Sequence, residues 1–276
     1  GGMGRRHLRG FQALQRSDFN NCELVAVCDI KRANAEDLAD EAQELLGYRP
    51  QVWTDLDEML RRQERLQGVN VTTEGGTHHR VAVACLEAGK DVQVEKPLAL
   101  SIRGCDLIIE TARRTGRILS VAENLRRDPM NRLMRALIDA GAVGAPQLFI
   151  DTKIGGGDHM VYSPWRHQKL GGTIALDEGI HHADLMLYYL GDPVWGFGEG
   201  RIFQPVRRRR AGGPSRGLHA KWNDQYPAEF AATGEDAVLG WLRFANGTVG
   251  QWIDHHGAHG QPLHRRILYG SGGSLE

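Results

Sequence analysis

Residues 77–100 read THHRVAVACLEAGKDVQVEKPLAL. Thr77 stands where it can cap a helix whose Val81, Ala84, Cys85 and Ala88 recur at helical spacing on one face. Asp91–Glu95 then alternates into a short apolar run, which predicts a strand, and Lys96-Pro97 ends it. Elements of the same kind flank this unit. Gly68–Thr72 is a candidate strand before it; Ser101–Thr115 reads as a helix and Ile118–Ala122 as a strand after it.

The same alternation runs back to the first residue. Residues 5–15 read as a helix. Glu23–Asp29, ELVAVCD, is an apolar run ending in a carboxylate and predicts a buried strand. Ala33–Leu46 is helical, with Ala35, Leu38, Ala42 and Leu45 at helical spacing and Gly47 as its stop. Gln51–Trp53 predicts a strand, and Thr54 is placed to cap the next helix, with Asp57 three residues on. Strands alternating with helices at short spacing predict a parallel sheet covered by helices, with right-handed crossovers.

The pattern changes after residue 126. Pro129–Ala140 predicts one more helix, closed by Gly141. Gln147–Lys153 predicts a strand, and a glycine-rich, histidine-containing loop covers residues 155–172. Asp177–Leu190 is helical. The remainder reads as extended, with Ala237–Phe244 and Thr248–Asp254 flanking the hairpin signal Asn246-Gly247 and a further strand at Arg266–Tyr269. Two domains are expected: an α/β dinucleotide-binding domain over 1–125 and an α+β domain with a large, mostly antiparallel open sheet over 126–276. The first strand of the one is expected upstream of Gly1, and the sheet of the other is expected to continue past Glu276.

Composition excludes several function classes. The 276 residues carry 34 basic and 34 acidic side chains, formal net charge zero, and are 41% hydrophobic. Such a chain has no electrostatic footprint for nucleic acid or for an acidic membrane surface, and no apolar run approaches the roughly 20 residues of a membrane span. The run Arg207–Arg210 is the local exception, read as a solvated loop or subunit contact, with an anionic ligand as the alternative. Cys22, Cys28, Cys85 and Cys105 form no CxxC pair. They read as buried free thiols of a reducing, cytoplasmic compartment, with an export signal upstream of Gly1 left open.

The first candidate site binds a dinucleotide. Gly1 and Gly4 have the spacing of the second and third glycines of GxGxxG and open a helix whose free N–H groups suit a pyrophosphate. Asp29 ends the next strand, where a carboxylate accepts from both adenosine ribose hydroxyls and repels a 2′-phosphate. This favours NAD, while Lys31 and Arg32 leave NADP open. Met3 and Ile30, beside these residues, complete the expected contacts at this end of the cofactor.

The second candidate site is catalytic. Lys96 stands at the carboxyl end of a predicted parallel strand, the edge where such sheets bind ligands. Asp177-Glu178-Gly179-Ile180-His181-His182-Ala183-Asp184 places Asp177 and His181 four residues apart on one helix face, with Asp184 three further on. A carboxylate there can orient the imidazole, and Gly179 is expected to keep that face open for a ligand. No metal is predicted, because one histidine and two carboxylates make a thin ligand set. Trp165 can stack on a sugar ring and Arg166 can grip an anionic group, with Tyr162, His159 and His167 nearby as specificity candidates. His255, His256, His259 and His264 either line the same cleft or face solvent.

At these residues the chain resembles the Gfo/Idh/MocA oxidoreductases, which include glucose–fructose oxidoreductase and inositol dehydrogenase. The resemblance rests on GGMGRRH at 1–7, ELVAVCD ending at Asp29, the EKP segment at 95–97, VAENLR at 121–126, GGTIALDEGIHHADLMLYYLGDP at 171–193 and GEDAVLGWLRFANGTVGQW leading to RRILYGSGGSLE. It implies a Rossmann domain followed by an open-sheet domain whose exposed face forms homodimer or homotetramer contacts. It further implies that Lys96 is the active-site lysine, His181 its acid/base partner and Asp177 a substrate-binding or orienting carboxylate. Glu95, Pro97, His78 and Asn124 would belong to the cofactor pocket. The chain departs from the family pattern at Val71-Thr72-Thr73-Glu74-Gly75-Gly76, where an apolar strand ending in Thr-Pro is usual, and at His182, an added imidazole.

The expected reaction is NAD(P)-dependent hydride transfer to or from a secondary hydroxyl of a sugar, cyclitol or sugar derivative. Two other readings stay open: an NAD-dependent glycosidase or lyase working through transient sugar oxidation and elimination, and a non-catalytic dinucleotide-binding sugar sensor.

Overall fold

The computed structural model of the chain describes residues 1–210 and 223–276, so the extended reading of 211–222 lies outside the described residues. Gly1–Ala122 forms one compact unit, and a second begins at Glu123.

The first unit alternates helix and strand in chain order: α1 (Gly2–Gln15), β1 (Ala26–Cys28), α2 (Arg32–Leu46), β2 (Gln51–Trp53), α3 (Leu56–Arg62), β3 (Gly68–Val71), α4 (His78–Glu87), β4 (Asp91–Val94), α5 (Ile102–Thr115) and β5 (Leu119–Val121). All strand pairs are parallel. β1 pairs with β2, and β3-β4-β5 form a second ladder in that order. The break between the ladders falls where the doubly wound order places its first strand. Apolar burial holds the helices on. Ala82, Cys85 and Leu86 of α4 pack with Val92 and Val94 of β4 and with Ile108 and Ala112 of α5.

Local chemistry sets the ends of these elements, in places against expectation. The cap of α3 is Asp55, not Thr54: its carboxylate accepts from Glu58 N at 2.8 Å. Thr77 does not cap α4, because its hydroxyl donates to Thr73 Oγ1 and Glu74 O. The buried face of α4 is His78, Ala82, Cys85 and Leu86, shifted from the predicted stripe because the helix packs on α5 as well as on the strands. β1 is only three residues long. Its neighbour Leu24 gives its backbone N–H to the Tyr48 hydroxyl at 3.1 Å and so leaves the ladder. Ser101 does cap α5 through Gly104 N, and Gly47 and Gly116 close α2 and α5 in the left-handed conformation.

The second unit contains α6 (Pro129–Asp139), β6 (Pro146–Gly156), α7 (Thr173–Leu190), β7 (Pro193–Arg201), β8 (Val206–Arg208), β9 (Glu229–Ala231), β10 (Ala237–Phe244), β11 (Val249–Ala258), β12 (Leu263–Gly270) and β13 (Gly273–Leu275). Six of the strands form one sheet in the order β13-β12-β6-β11-β10-β7. Every ladder in it is antiparallel except β6–β11, so the predicted α+β architecture is the one found. The β10–β11 hairpin turns at Asn246-Gly247, where Gly247 has φ 86° and Asn246 Oδ1 accepts from Thr248 N at 3.0 Å.

One sheet face packs under α7, with Phe149, Phe244 and Leu268 meeting Leu185, Met186, Tyr189 and Leu190. Burying each such side chain stabilises the fold by about 1.5–3 kcal/mol. Gly179 belongs to this packing. A Cβ built on it would lie 2.9 Å from Cζ2 of Trp252 on β11, so the residue lets helix meet sheet and does not keep a ligand face open.

Two further expectations are corrected. Arg207 is no solvated member of an arginine run. It is fully buried, donating to the carbonyls of Gly157 and His256 and to Asp236 Oδ2 at 2.7 Å. Among the cysteines, Cys85 is buried, Cys105 half-buried, and Cys22 and Cys28 are exposed. Burial pushes the Cys85 thiol up to about 12, which leaves it unreactive.

Candidate active site

In the first unit the predicted cofactor residues gather at the carboxyl ends of the strands. The backbone nitrogen of Gly1, at the head of α1, lies 4.0 Å from Asp29 Oδ2, at the end of β1. Around Gly1 a Cβ would meet nothing within 4 Å, so its backbone is approachable. At Gly4 a Cβ would touch Thr72 Oγ1 at 3.4 Å and Leu38 Cδ2 at 3.5 Å, ordinary contact that seats α1 against α2 and the end of β3. Asp29 is held by Lys31 N at 2.9 Å and Asn34 Nδ2 at 3.3 Å, while Ile30 beside it is 89% exposed. Met3 is half-buried on the first turn of α1.

The Glu95-Lys96-Pro97 segment follows β4 and is braced from two sides. Glu95 is buried. Its Oε1 lies 2.9 Å from His7 Nε2 on α1, and its Oε2 accepts from Lys96 N at 3.2 Å. His78, at the start of α4, is also buried and sets Nδ1 2.8 Å from Pro97 O and Nε2 3.1 Å from Thr73 O. His78 thus supports the lysine-bearing turn through its backbone. The contribution of His7 was not legible in sequence, where it is one more polar residue on a helix.

In the second unit the catalytic candidates sit on α7, and their partners come from elsewhere in the chain. His181 Nδ1 lies 2.7 and 2.8 Å from the two carboxylate oxygens of Glu123. Asp177 is ion-paired with Arg166, both buried. Asp184 takes the Arg126 Nε at 2.6 Å. The two helix carboxylates expected to attend His181 are therefore engaged by arginines, and the carboxylate on its Nδ1 is one that sequence reading did not select.

The specificity candidates divide. The Arg166 guanidinium packs on two aromatic rings, 4.9 Å from the Tyr162 centroid and 5.2 Å from that of Trp165, and its Nη1 is 3.4 Å from Glu178. Tyr162 is exposed and has φ 58°, an uncommon backbone state for a bulky residue. Trp165 and His159 are half-buried, with His159 Nδ1 3.7 Å from Asp158. His167 is buried and structural. Its Nε2 accepts from Val161 N at 2.9 Å, and burial, with Arg207, His256 and Arg166 nearby, pulls its pKa down to about 3. Asn124 opens the short 3-10 turn Leu125–Arg127.

The remaining histidines are dispersed. His256 is buried against Asp254 at 2.9 Å, His255 stacks on Phe203, and His259 and His264 are exposed. His182, the added imidazole, donates its Nδ1–H to Asp151 Oδ2 at 2.9 Å and stacks on Trp252. Asp151 is buried, which would raise its pKa. Its bonds to His182 and Arg266 outweigh that and hold the carboxyl below the usual range. No group of three or more His, Cys, Asp or Glu among the described residues could hold a metal ion.

Residues 1–123 match the oxidoreductase family with an NAD-binding Rossmann fold, and residues 131–276 match the Gfo/Idh/MocA C-terminal domain. The chain belongs to the Gfo/Idh/MocA oxidoreductase family. Among relatives in this family, D-glucoside 3-dehydrogenase of Escherichia coli (strain K12) is 28% identical over 240 residues, covering 85% of this chain and 63% of the relative. Inositol 2-dehydrogenase of Azotobacter vinelandii is 28% identical over 200 residues, covering 70% of this chain and 52% of the relative. The chain thus spans between half and two-thirds of the length of these curated relatives. The crystal structure of an oxidoreductase domain protein from Kribbella flavida superposes with a TM-score of 0.81 at 26% identity, over 99% of this chain and 70% of that one. The family therefore accounts for both units: the parallel ladders of the first and the mostly antiparallel sheet of the second.

Proposed function

We propose that the chain is the greater part of an NAD-dependent dehydrogenase that oxidises a secondary hydroxyl of a sugar or cyclitol. The observation that carries this reading is the placement of Lys96, at the carboxyl end of a parallel strand and on a turn braced by His7, Glu95 and His78. The names of the relatives, a glucoside dehydrogenase and an inositol dehydrogenase, support the substrate class.

The residues present fit a dinucleotide. Gly1 at a helix N-terminus leaves room for phosphate oxygens, Asp29 can accept from ribose hydroxyls, and exposed Ile30 gives an apolar edge for the adenine. Met3 belongs to the same phosphate-facing turn. Glu95, Lys96, Pro97, His78 and Asn124 are assigned to the nicotinamide end. Asp29 favours NAD over NADP by charge. Bound NAD supplies the hydride-accepting carbon, C4 of the nicotinamide.

The chain's own groups handle the proton. His181 takes the hydroxyl proton at Nε2, and the Lys96 ammonium stabilises the developing alkoxide. Asp177, fixed by Arg166, orients a neighbouring substrate hydroxyl, while Tyr162, Trp165, Arg166 and His159 set which ring is accepted. Lys96→Met tests the reading. Turnover on a responsive inositol or glycoside should fall by roughly 10²–10⁴-fold while the Kd for NAD changes little. Equal turnover in that variant would remove the proposal.

The same reading includes a homo-oligomer, dimer or tetramer, formed through the outer face of the large sheet. Trp241 stands opposite Phe197, and Arg243 opposite Trp195, on neighbouring strands, and the three aromatic side chains are roughly half exposed or more. Contiguous exposed apolar surface of this kind favours burial against a partner. No helix among the described residues is long and apolar enough to cross a membrane.

A further inference from the structure

We infer that Glu123 is the positioning residue of His181: its carboxylate holds the imidazole protonated at Nδ1 and so leaves Nε2 as the atom that exchanges a proton with substrate. This deepens the proposed dehydrogenase reading and rests on it for the substrate, though not for the geometry.

An ionised carboxylate can only accept, so the 2.7 and 2.8 Å contacts to both oxygens of Glu123 require a hydrogen on Nδ1. A neutral imidazole carries one N–H, so Nε2 then presents its lone pair. The Glu123 and His181 side chains are only 10% and 14% exposed, which limits competition from water for this bond. Carboxylates of hydrolase triads hold a histidine in the same way, fixing tautomer and rotamer without taking the proton.

Glu123 is itself held in place. Its Oε1 accepts from Leu125 N at 2.9 Å at the start of the Leu125–Arg127 turn. The same segment grips α7 a second time, since Arg126 Nε donates to Asp184 Oδ2 at 2.6 Å, three residues beyond His181, and the guanidinium lies 5.2 Å from the Tyr188 ring centroid. Two bonds from one short segment to positions about one turn apart on α7 set the imidazole plane more firmly than one could. The carboxylates nearer in sequence are committed elsewhere, Asp177 to Arg166 and Asp184 to Arg126.

The test is the tautomer of His181 in the ¹⁵N-labelled full chain, read from long-range ¹H–¹⁵N correlations above the imidazole titration and assigned by loss of the signals in His181→Gln. The expected spectrum shows Nδ1 protonated and Nε2 bare. In Glu123→Gln, whose amide can donate as well as accept, that preference should weaken or reverse, and Glu123→Asp should restore part of it. Kinetics adds a second readout. On a substrate turned over by the wild type, Glu123→Gln should lower kcat by about 10²-fold with little change in the Kd for NAD. The double variant with His181→Ala should be no slower than His181→Ala alone. An Nε2-protonated His181 in the wild type, or losses that multiply in the double variant, would overturn the inference. If no sugar or cyclitol is oxidised the dehydrogenase reading fails, and the tautomer measurement still decides the role of Glu123.

Discussion

Arg166 and Asp177 form a buried ion pair, with side chains 10% and 5% exposed, and the guanidinium packs on the rings of Tyr162 and Trp165. The pair joins the loop before α7 to the first turns of that helix. It also fixes the carboxylate proposed to hold substrate.

Removing one partner should be costly, because the other charge is left desolvated. Asp177→Ala should lower stability by about 3 kcal/mol, the low end of the range for a broken buried pair, since Glu178 lies 3.4 Å from the same guanidinium. Replacing both residues, Arg166→Met with Asp177→Leu, should recover much of that loss while abolishing turnover. Urea unfolding midpoints of the three proteins check this.

Acid should destabilise the second unit through His167. Its folded pKa, about 3, lies below the ordinary 6.5, so the unfolded chain binds this proton more readily. Stability is then complete above about pH 6.5 and drains away as pH falls toward 3. His167→Gln, which can still accept from Val161 N, should flatten the dependence between pH 6.5 and 4. An unchanged slope of the urea midpoint against pH in that variant would assign the acid sensitivity to other groups.

At Gly179, an added methyl would press on Trp252. Gly179→Ala should cost about 1–3 kcal/mol, as overpacking does, even though alanine favours the helix. A stability equal to or above wild type, with unaltered tryptophan fluorescence, would show that the helix and β11 can separate there without penalty.

Cofactor choice should turn on Asp29. Asp29→Ser removes the charge that repels a 2′-phosphate, and Lys31 and Arg32 are exposed beside it. The Kd for NAD should rise about tenfold, a loss of about 1.4 kcal/mol, while the Kd for NADP falls. Titration with both dinucleotides measures the ratio, and no change in it would remove Asp29 from the ribose site.

Much of the architecture follows from short-range pattern. Apolar spacing, Gly47, Ser101 and Asn246-Gly247 act on neighbours within a few residues, so helices, strands and the hairpin were legible along the chain. The placement of Lys96 after a parallel strand was legible for the same reason. Polar pairing is different, because a buried donor or charge takes whichever acceptor the fold brings to it. Glu123 lies 58 residues from His181, Asp151 31 from His182 and Asp236 29 from Arg207, and no periodicity links such positions. Asp177 and His181 share a helix, yet packing gave Arg166 to the one and Glu123 to the other. Backbone form was written locally, whereas the partners that orient each charged side chain were selected by long-range burial.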